Sequence, residues 1–251
     1  MNSAGKAQQD YRRNGFAVVE GVFSAAECAA LRCEVARLET LTEEQWPYDI
    51  TRVKSLSARQ RAGISRSQAG RDIFMLGDLA RYSDALRRAV ADRRVAVLVR
   101  AVLGYGQLRY HFSNLTHKAP RVGPRVGPHR DLLNRLVTMP VARFCRTAIC
   151  LDGMSAGNGG MVFRARSHRI TDAVVRARAR LKLHLRRPLK PVRCGVGAVV
   201  LFHPKVIHGS VSNRSGTPRR NLVVQYGVPY QRLIASQTER WTGHPPEDLR
   251  Y

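Results

Sequence analysis

The sequence predicts a mainly β protein with flanking helices: a jelly roll carrying a helical buttress at its N-terminal side. Three observations carry that reading. Helical apolar spacing dominates the first part of the chain, and from Gln107 onward short apolar runs are broken by Pro and Gly. The third observation is size. A chain of 251 residues with 44% hydrophobic content can bury one large core. It is read as a single domain over 1–251, helical over about 1–105, with the jelly-roll core over about 106–230.

The elements follow in order. Phe16-Ala17-Val18-Val19 reads as a short buried strand entered through Gly15. Ser24 and Glu27 form a capping box, and Cys28, Leu31, Val35 and Leu38 recur at helical spacing, so a helix runs to about Glu39. Residues 40–72 are polar and broken by Trp46-Pro47-Tyr48, which suggests a variable loop or lid. Leu79 to Leu103 is mostly helical, with Leu86, Val90 and Val97 on the apolar face and Arg87, Arg88, Arg93 and Arg94 toward water. Gly104 is its stop. Candidate strands are Leu108–Asn114, Phe144–Leu151, Gly160–Arg164, Ala198–Phe202 and Leu222–Val228. Thr171 to Leu185 reads as a basic helix or long surface loop.

Composition narrows the function class. No apolar run approaches the roughly 18 residues that cross a bilayer, and Met1 to Asp10 lacks a signal-peptide core, so a cytoplasmic location is expected. Five cysteines without CxxC spacing speak against a disulfide framework or a zinc cluster. The net charge of +25 comes from 43 basic and 18 acidic residues. Nucleic acid is therefore one possible partner. However, the arginines are spread along the chain with no recognisable nucleic-acid motif, and a solvated, arginine-rich surface is the preferred reading. The sequence is silent on oligomeric state.

The chemistry is in a split motif. His129-Arg130-Asp131 stands mid-chain after Gly127-Pro128, and His208-Gly209-Ser210 follows much later. By chance alone, about 0.3 His-x-Asp matches are expected in such a chain, so context decides. Both histidines fall at predicted strand ends, where a rigid sheet can aim them into one cavity. Two imidazoles and one carboxylate are the set that holds non-haem Fe(II) with one face open. Arg219, eleven residues after His208, supplies a fixed cation for the far carboxylate of a chelating keto-acid, with the Ser210 hydroxyl assisting.

These residues and their surroundings resemble the phytanoyl-CoA dioxygenase family of Fe(II)/2-oxoglutarate-dependent oxygenases. The resemblance begins at Asn14-Gly15-Phe16 and continues through Gly127-Pro128-His129-Arg130-Asp131 and Leu151-Asp152-Gly153-Met154. It closes with His208-Gly209-Ser210, Asn213-Arg214-Ser215 and Pro218-Arg219-Arg220-Asn221. It implies a double-stranded β-helix, cupin-like, with iron on His129, Asp131 and His208. It places the C5 carboxylate of 2-oxoglutarate on Arg219 and Ser210, with Thr116 and Lys118 as further helpers. Arg220 competes with Arg219, but adjacent strand residues face opposite ways and the spacing favours Arg219.

The implied reaction couples decarboxylation of 2-oxoglutarate by O2, giving succinate and CO2, to hydroxylation of a small-molecule substrate. Because Asp131 is kept, hydroxylation is expected rather than halogenation. Asn134 and Arg135, just after the metal motif, are candidate substrate contacts. One departure stands out. Where the family has a Pro-Gly-Ser-His turn, this chain has Arg164-Ala165-Arg166-Ser167-His168, which puts Arg166 at a position suited to glycine and makes it a third substrate candidate. Two other readings remain open: a nucleic-acid-acting oxygenase or binder, and a catalytically inactive jelly roll.

Overall fold

Strand β11 (Arg219–Gly227) shows how alternation builds the molecule. Leu222, Val224 and Tyr226 belong to the core shared with the helices, whereas Val223 belongs to the core between the sheets. Arg219, Asn221 and Gln225 share the face of Val223, so the period of two sends the polar residues inward and the apolar ones to the buttress.

The computed structural model describes residues 2–40, 50–52, 73–77, 79–132, 142–181, 188–228 and 241–250. Among them the strands are β1 (Phe16–Val19), β2 (Ile50–Arg52), β3 (Ile73–Gly77), β4 (Arg109–Lys118), β5 (Val126–His129), β6 (Phe144–Cys150), β7 (Met161–Arg164), β8 (Lys190–Pro191), β9 (Val199–Phe202), β10 (Ile207–Ser210) and β11. The larger sheet has the order β1-β9-β6-β11-β4-β3-β2, and the smaller β5-β10-β7-β8. The pairings are antiparallel throughout. This is the expected jelly roll. Ala148, Val200, Phe202 and Val223 of the large sheet meet Met161 and Phe163 of the small one.

The outer face of the large sheet is covered by helices α1 (Ser3–Asn14), α2 (Ala25–Glu39), α3 (Leu79–Tyr82), α4 (Asp84–Val90) and α5 (Arg93–Leu103). The capping box forms as read: Ser24 Oγ accepts from Glu27 N at 3.1 Å and Glu27 returns the bond to Ser24 N at 2.7 Å. Cys28, Leu31, Val35 and Leu38 are buried. Gly104 ends α5 at φ +73°.

Two expectations are corrected, and one helix is added. Val97 is exposed, at 46%, while Val95, Leu98, Val99 and Val102 face the core. The cause is a break: Ala91 ends α4 and Asp92 caps α5, so the helical phase restarts and Val97 no longer lines up with Leu86 and Val90. Helix α1 was not foreseen, because it buries only Ala7 and Tyr11 and carries a weak apolar stripe. The stretch 40–72 is not wholly loop: Ile50–Arg52 is an edge strand, and the rest lies outside the described residues. The basic segment after Thr171 contains helix α6 (Asp172–Arg180). No helix among the described residues is long and apolar enough to cross a membrane.

Arg166 occupies the left-handed region at φ +65°, where the family pattern has glycine. A side chain there costs on the order of 1 kcal/mol. Arg166→Gly is expected to stabilise the protein by about 1 kcal/mol, raising Tm by roughly 2–4 °C. Thermal unfolding checks this; a lower Tm would show that the arginine side chain contributes more than its backbone costs.

Candidate metal centre

The small sheet builds the cluster. His129, the last residue of β5, is the direct cross-strand partner of His208 on β10. That approach requires Gly209, since a Cβ there would sit 2.7 Å from Val126 O. Ser167 Oγ accepts from Ile207 N at 2.8 Å and fixes the start of β10. The intervening Arg130 points away from the cluster: it donates to the carbonyls of Ser167 (2.6 Å) and Ile170 (2.9 Å) and pairs with Asp172. It thereby ties the metal motif to the turn carrying Arg166.

His129 Nε2 lies 3.7 Å from Asp131 Oδ1, and His208 Nε2 lies 3.8 Å from Asp131 Oδ2. One ligand atom from each residue falls within 4.8 Å of the others. The tautomers suit a metal. His129 Nδ1 donates to Gly127 O at 2.9 Å and His208 Nδ1 to Val206 O at 3.1 Å. A carbonyl can only accept, so each Nδ1 carries a proton and Nε2 is left as the ring nitrogen turned to Asp131. Burial first, only partly offset by Asp131, pushes His208 down to about 4, so it is neutral at physiological pH. For Asp131, burial alone would raise the carboxyl, but Arg146, His208 and His129 together hold it below the usual value. Its Oδ2 is buried without a hydrogen-bond donor. Two imidazoles with Nδ1–H tied to carbonyls, around an ionised carboxylate with one oxygen unsatisfied, fit a divalent cation.

A second cluster lies toward the Ser210 end of β10. Arg219 on β11 and Lys118 on β4 are register partners on the inner face, and both are buried. Lys118 Nζ donates to Val211 O, next to Ser210. Burial, then the Arg219 charge, pushes Lys118 down to about 6, and burial pushes Arg219 down to about 10. Asn221, in the amide orientation that satisfies its neighbours, accepts from Arg219 Nη1 at 2.9 Å, yet Arg219 Nε has no partner. Neither cation has a carboxylate partner among the described residues. Asn213 secures this end, donating to Lys118 O at 2.9 Å and Thr217 O at 2.8 Å. Arg220 faces the other way and grips Asp152 through Nε (2.9 Å) and Nη2 (2.8 Å).

The other sequence candidates are placed as follows. Ser210 is buried on the inner face two residues from His208. Thr116 is half-buried on the face of Lys118 and accepts from Asn114 Nδ2 at 3.3 Å. Arg166 is half-buried at the turn before Ser167, its N–H donating to Asn14 O at 2.8 Å. Asn134 and Arg135 lie outside the described residues. Sequence reasoning missed Arg146. It stands on β6 with Nε 3.1 Å from Asp131 Oδ2. The available signal was one arginine inside the apolar run Phe144–Cys150.

The model of the phytanoyl-CoA dioxygenase (PhyH) family matches residues 11–221. The chain belongs to this family. It is therefore an iron- and 2-oxoglutarate-dependent dioxygenase. Among curated relatives, an ectoine dioxygenase of Bordetella parapertussis is 30% identical over 243 residues, spanning 87% of this chain and 73% of the relative. A probable alpha-ketoglutarate-dependent hypophosphite dioxygenase of Stutzerimonas stutzeri is 24% identical over 237 residues, spanning 88% of this chain and 77% of the relative. The fold is shared with the alpha-ketoglutarate-dependent epimerase SnoN of nogalamycin biosynthesis, at a TM-score of 0.73 and 20% identity over 90% of this chain and 83% of that one. It is also shared with EctD from S. alaskensis, solved with 2-oxoglutarate and 5-hydroxyectoine. There the TM-score is 0.70 and the identity 23%, over 93% of this chain and 80% of that one.

Proposed function

We propose that this dioxygenase hydroxylates a small molecule, using iron held by His129, Asp131 and His208 and 2-oxoglutarate anchored by Arg219, Lys118 and Ser210. One observation supports the assignment most strongly: two buried basic side chains, Lys118 and the charged Arg219, stand side by side without a protein carboxylate among the described residues. Leaving the Arg219 charge unpaired is costly, and Lys118 can take up a proton beside an incoming carboxylate, so the site calls for an anion. Two residues along β10, about 7 Å, separate His208 from Ser210. That suits a five-carbon dicarboxylate with its keto-acid end at the metal and its far carboxylate on Arg219. Thr116 borders the same face and is assigned a supporting role.

When bound, iron supplies the oxidising chemistry that consumes O2 and 2-oxoglutarate. The chain's own contribution is positional. His129 and His208 are oriented through their Nδ1–H bonds, His208 is held neutral and Asp131 ionised, and the Phe163 and Phe202 rings, 5.8 and 4.9 Å from that of His208, keep water from its side of the site. Arg166 is not assigned to substrate here, because its contacts are to the α1 end. Asn134 and Arg135 remain substrate candidates by their place in the sequence. The test is product analysis under labelled O2 across a small-molecule panel that includes ectoine and hypophosphite. One labelled oxygen in the substrate, together with succinate, supports hydroxylation. Succinate without any oxidised product across the panel would point to a different outcome at carbon, and no succinate to an inactive homologue.

Lys118 gives a pH-dependent signature. It is neutral above about 6 when alone with Arg219. A carboxylate placed beside it raises its pKa, so binding takes up a proton at neutral pH. Affinity for 2-oxoglutarate in the Mn(II)-loaded enzyme should therefore fall as pH rises above 6, by up to about tenfold per unit. Calorimetry in buffers of different ionisation heat would read the proton uptake, and Lys118→Met should flatten it. A wild-type profile without uptake would remove Lys118 from the site.

A further inference from the structure

We propose that Arg146 is the receptor for an anionic group, a carboxylate or phosphorus oxyanion, on the substrate. This assignment rests on the iron and 2-oxoglutarate site proposed above and extends it to substrate class. Arg146 projects inward from β6, in register with Gln225 on β11 and Phe202 on β9. Its Nε edge is held: it lies 3.1 Å from Asp131 Oδ2 and donates to Gln225 Oε1 at 3.3 Å. Its guanidinium carbon sits 4.9 Å from the centre of the Phe112 ring. Gln225 is itself fixed, with Nε2 2.9 Å from His111 Nδ1. The guanidinium is thus locked on one edge and over one face beside the metal ligand.

The Nη edge has no protein partner among the described residues, and the side chain keeps 13% of its exposure. A fork of N–H donors without a protein partner among the described residues matches a carboxylate or phosphonate-like group. Charge points the same way. With Fe(II), ionised Asp131 and dianionic 2-oxoglutarate in place, Arg219 and Arg146 leave the interior net positive even with Lys118 neutral. Burial makes that excess unfavourable until an anion joins it. A neutral substrate would leave it uncompensated.

The experiment is calorimetric titration of Mn(II)- and 2-oxoglutarate-loaded protein with propionate, hypophosphite and the neutral isostere propionamide. The anions should bind and propionamide should not. Arg146→Gln should weaken anion binding by about tenfold or more, the scale of one charge-assisted contact. Arg146→Lys, which keeps a positive charge beside Asp131, should retain part of the anion binding. Equal binding of propionate and propionamide, no anion binding by wild type, or unchanged binding in a folded Arg146→Gln protein would each overturn the proposal. Failure of the co-substrate site is separately visible, as 2-oxoglutarate that does not bind or that is lost with Arg146→Gln instead of Arg219→Met. In that case the same anion series on Arg219→Met protein with Mn(II) alone still reads Arg146 by itself.

Discussion

Asp131→Ala is expected to lower the affinity for Fe(II), or for Mn(II) as a stable substitute, by more than about 100-fold and to abolish succinate formation from 2-oxoglutarate. Loss of a mere supporting partner at a metal site costs roughly 10–100-fold, and Asp131 is the sole carboxylate in the cluster. Its removal takes away the negative charge held beside Arg146 and leaves two imidazoles and that guanidinium facing the cation. Metal titration followed by the paramagnetic signal of free Mn(II) checks the first part, and a succinate assay the second. Retained turnover in Asp131→Ala would mean the metal sits elsewhere.

Arg219→Met has the second large effect, and it carries two opposite signs. Affinity for 2-oxoglutarate should fall on the order of 100-fold or more, because a bidentate, desolvated charge pair is lost. The protein without co-substrate should become more stable by about 1 kcal/mol or more, because a buried cation crowded against Lys118 is replaced by a side chain that tolerates burial. A merely structural arginine would give the reverse: lower stability and untouched co-substrate affinity. Equilibrium unfolding with and without 2-oxoglutarate separates the two, since ligand stabilisation should vanish in the variant.

The legible parts of this fold were those with strong local signals. The capping box at Ser24, the strand Phe16–Val19 and the apolar runs of β6, β9 and β11 each carry their own pattern and stand close to where they were expected. What the sequence hid was set by tertiary context. Strands β5 and β10 carry the two histidines of the candidate metal cluster, yet each is four residues long and contains glycine, so neither has a β signature of its own. They pair because Gly209 permits the approach. Val97 was misplaced because a two-residue break between helices resets phase, which periodicity counted straight through cannot register.

In the site, residue types and order pointed to His129, Asp131, His208 and Arg219, because metal and carboxylate chemistry restricts the choice. Lys118 came only with the resemblance. Its burial beside Arg219 follows from cross-strand register, which one strand's sequence does not contain. Arg146 escaped for the same reason: its meaning depends on Asp131, which reaches it from just beyond the end of β5 in the opposite sheet.

The most direct measurement of the site is the anomalous scattering of Mn(II) in crystals grown with 2-oxoglutarate. The assignment predicts one strong peak at about 2.1 Å from His129 Nε2, His208 Nε2 and an Asp131 carboxylate oxygen. It also predicts the far carboxylate of 2-oxoglutarate against Arg219, Lys118 and Ser210. A peak away from those three side chains, or a 2-oxoglutarate carboxylate held elsewhere with Lys118 and Arg219 still unpaired, would contradict it.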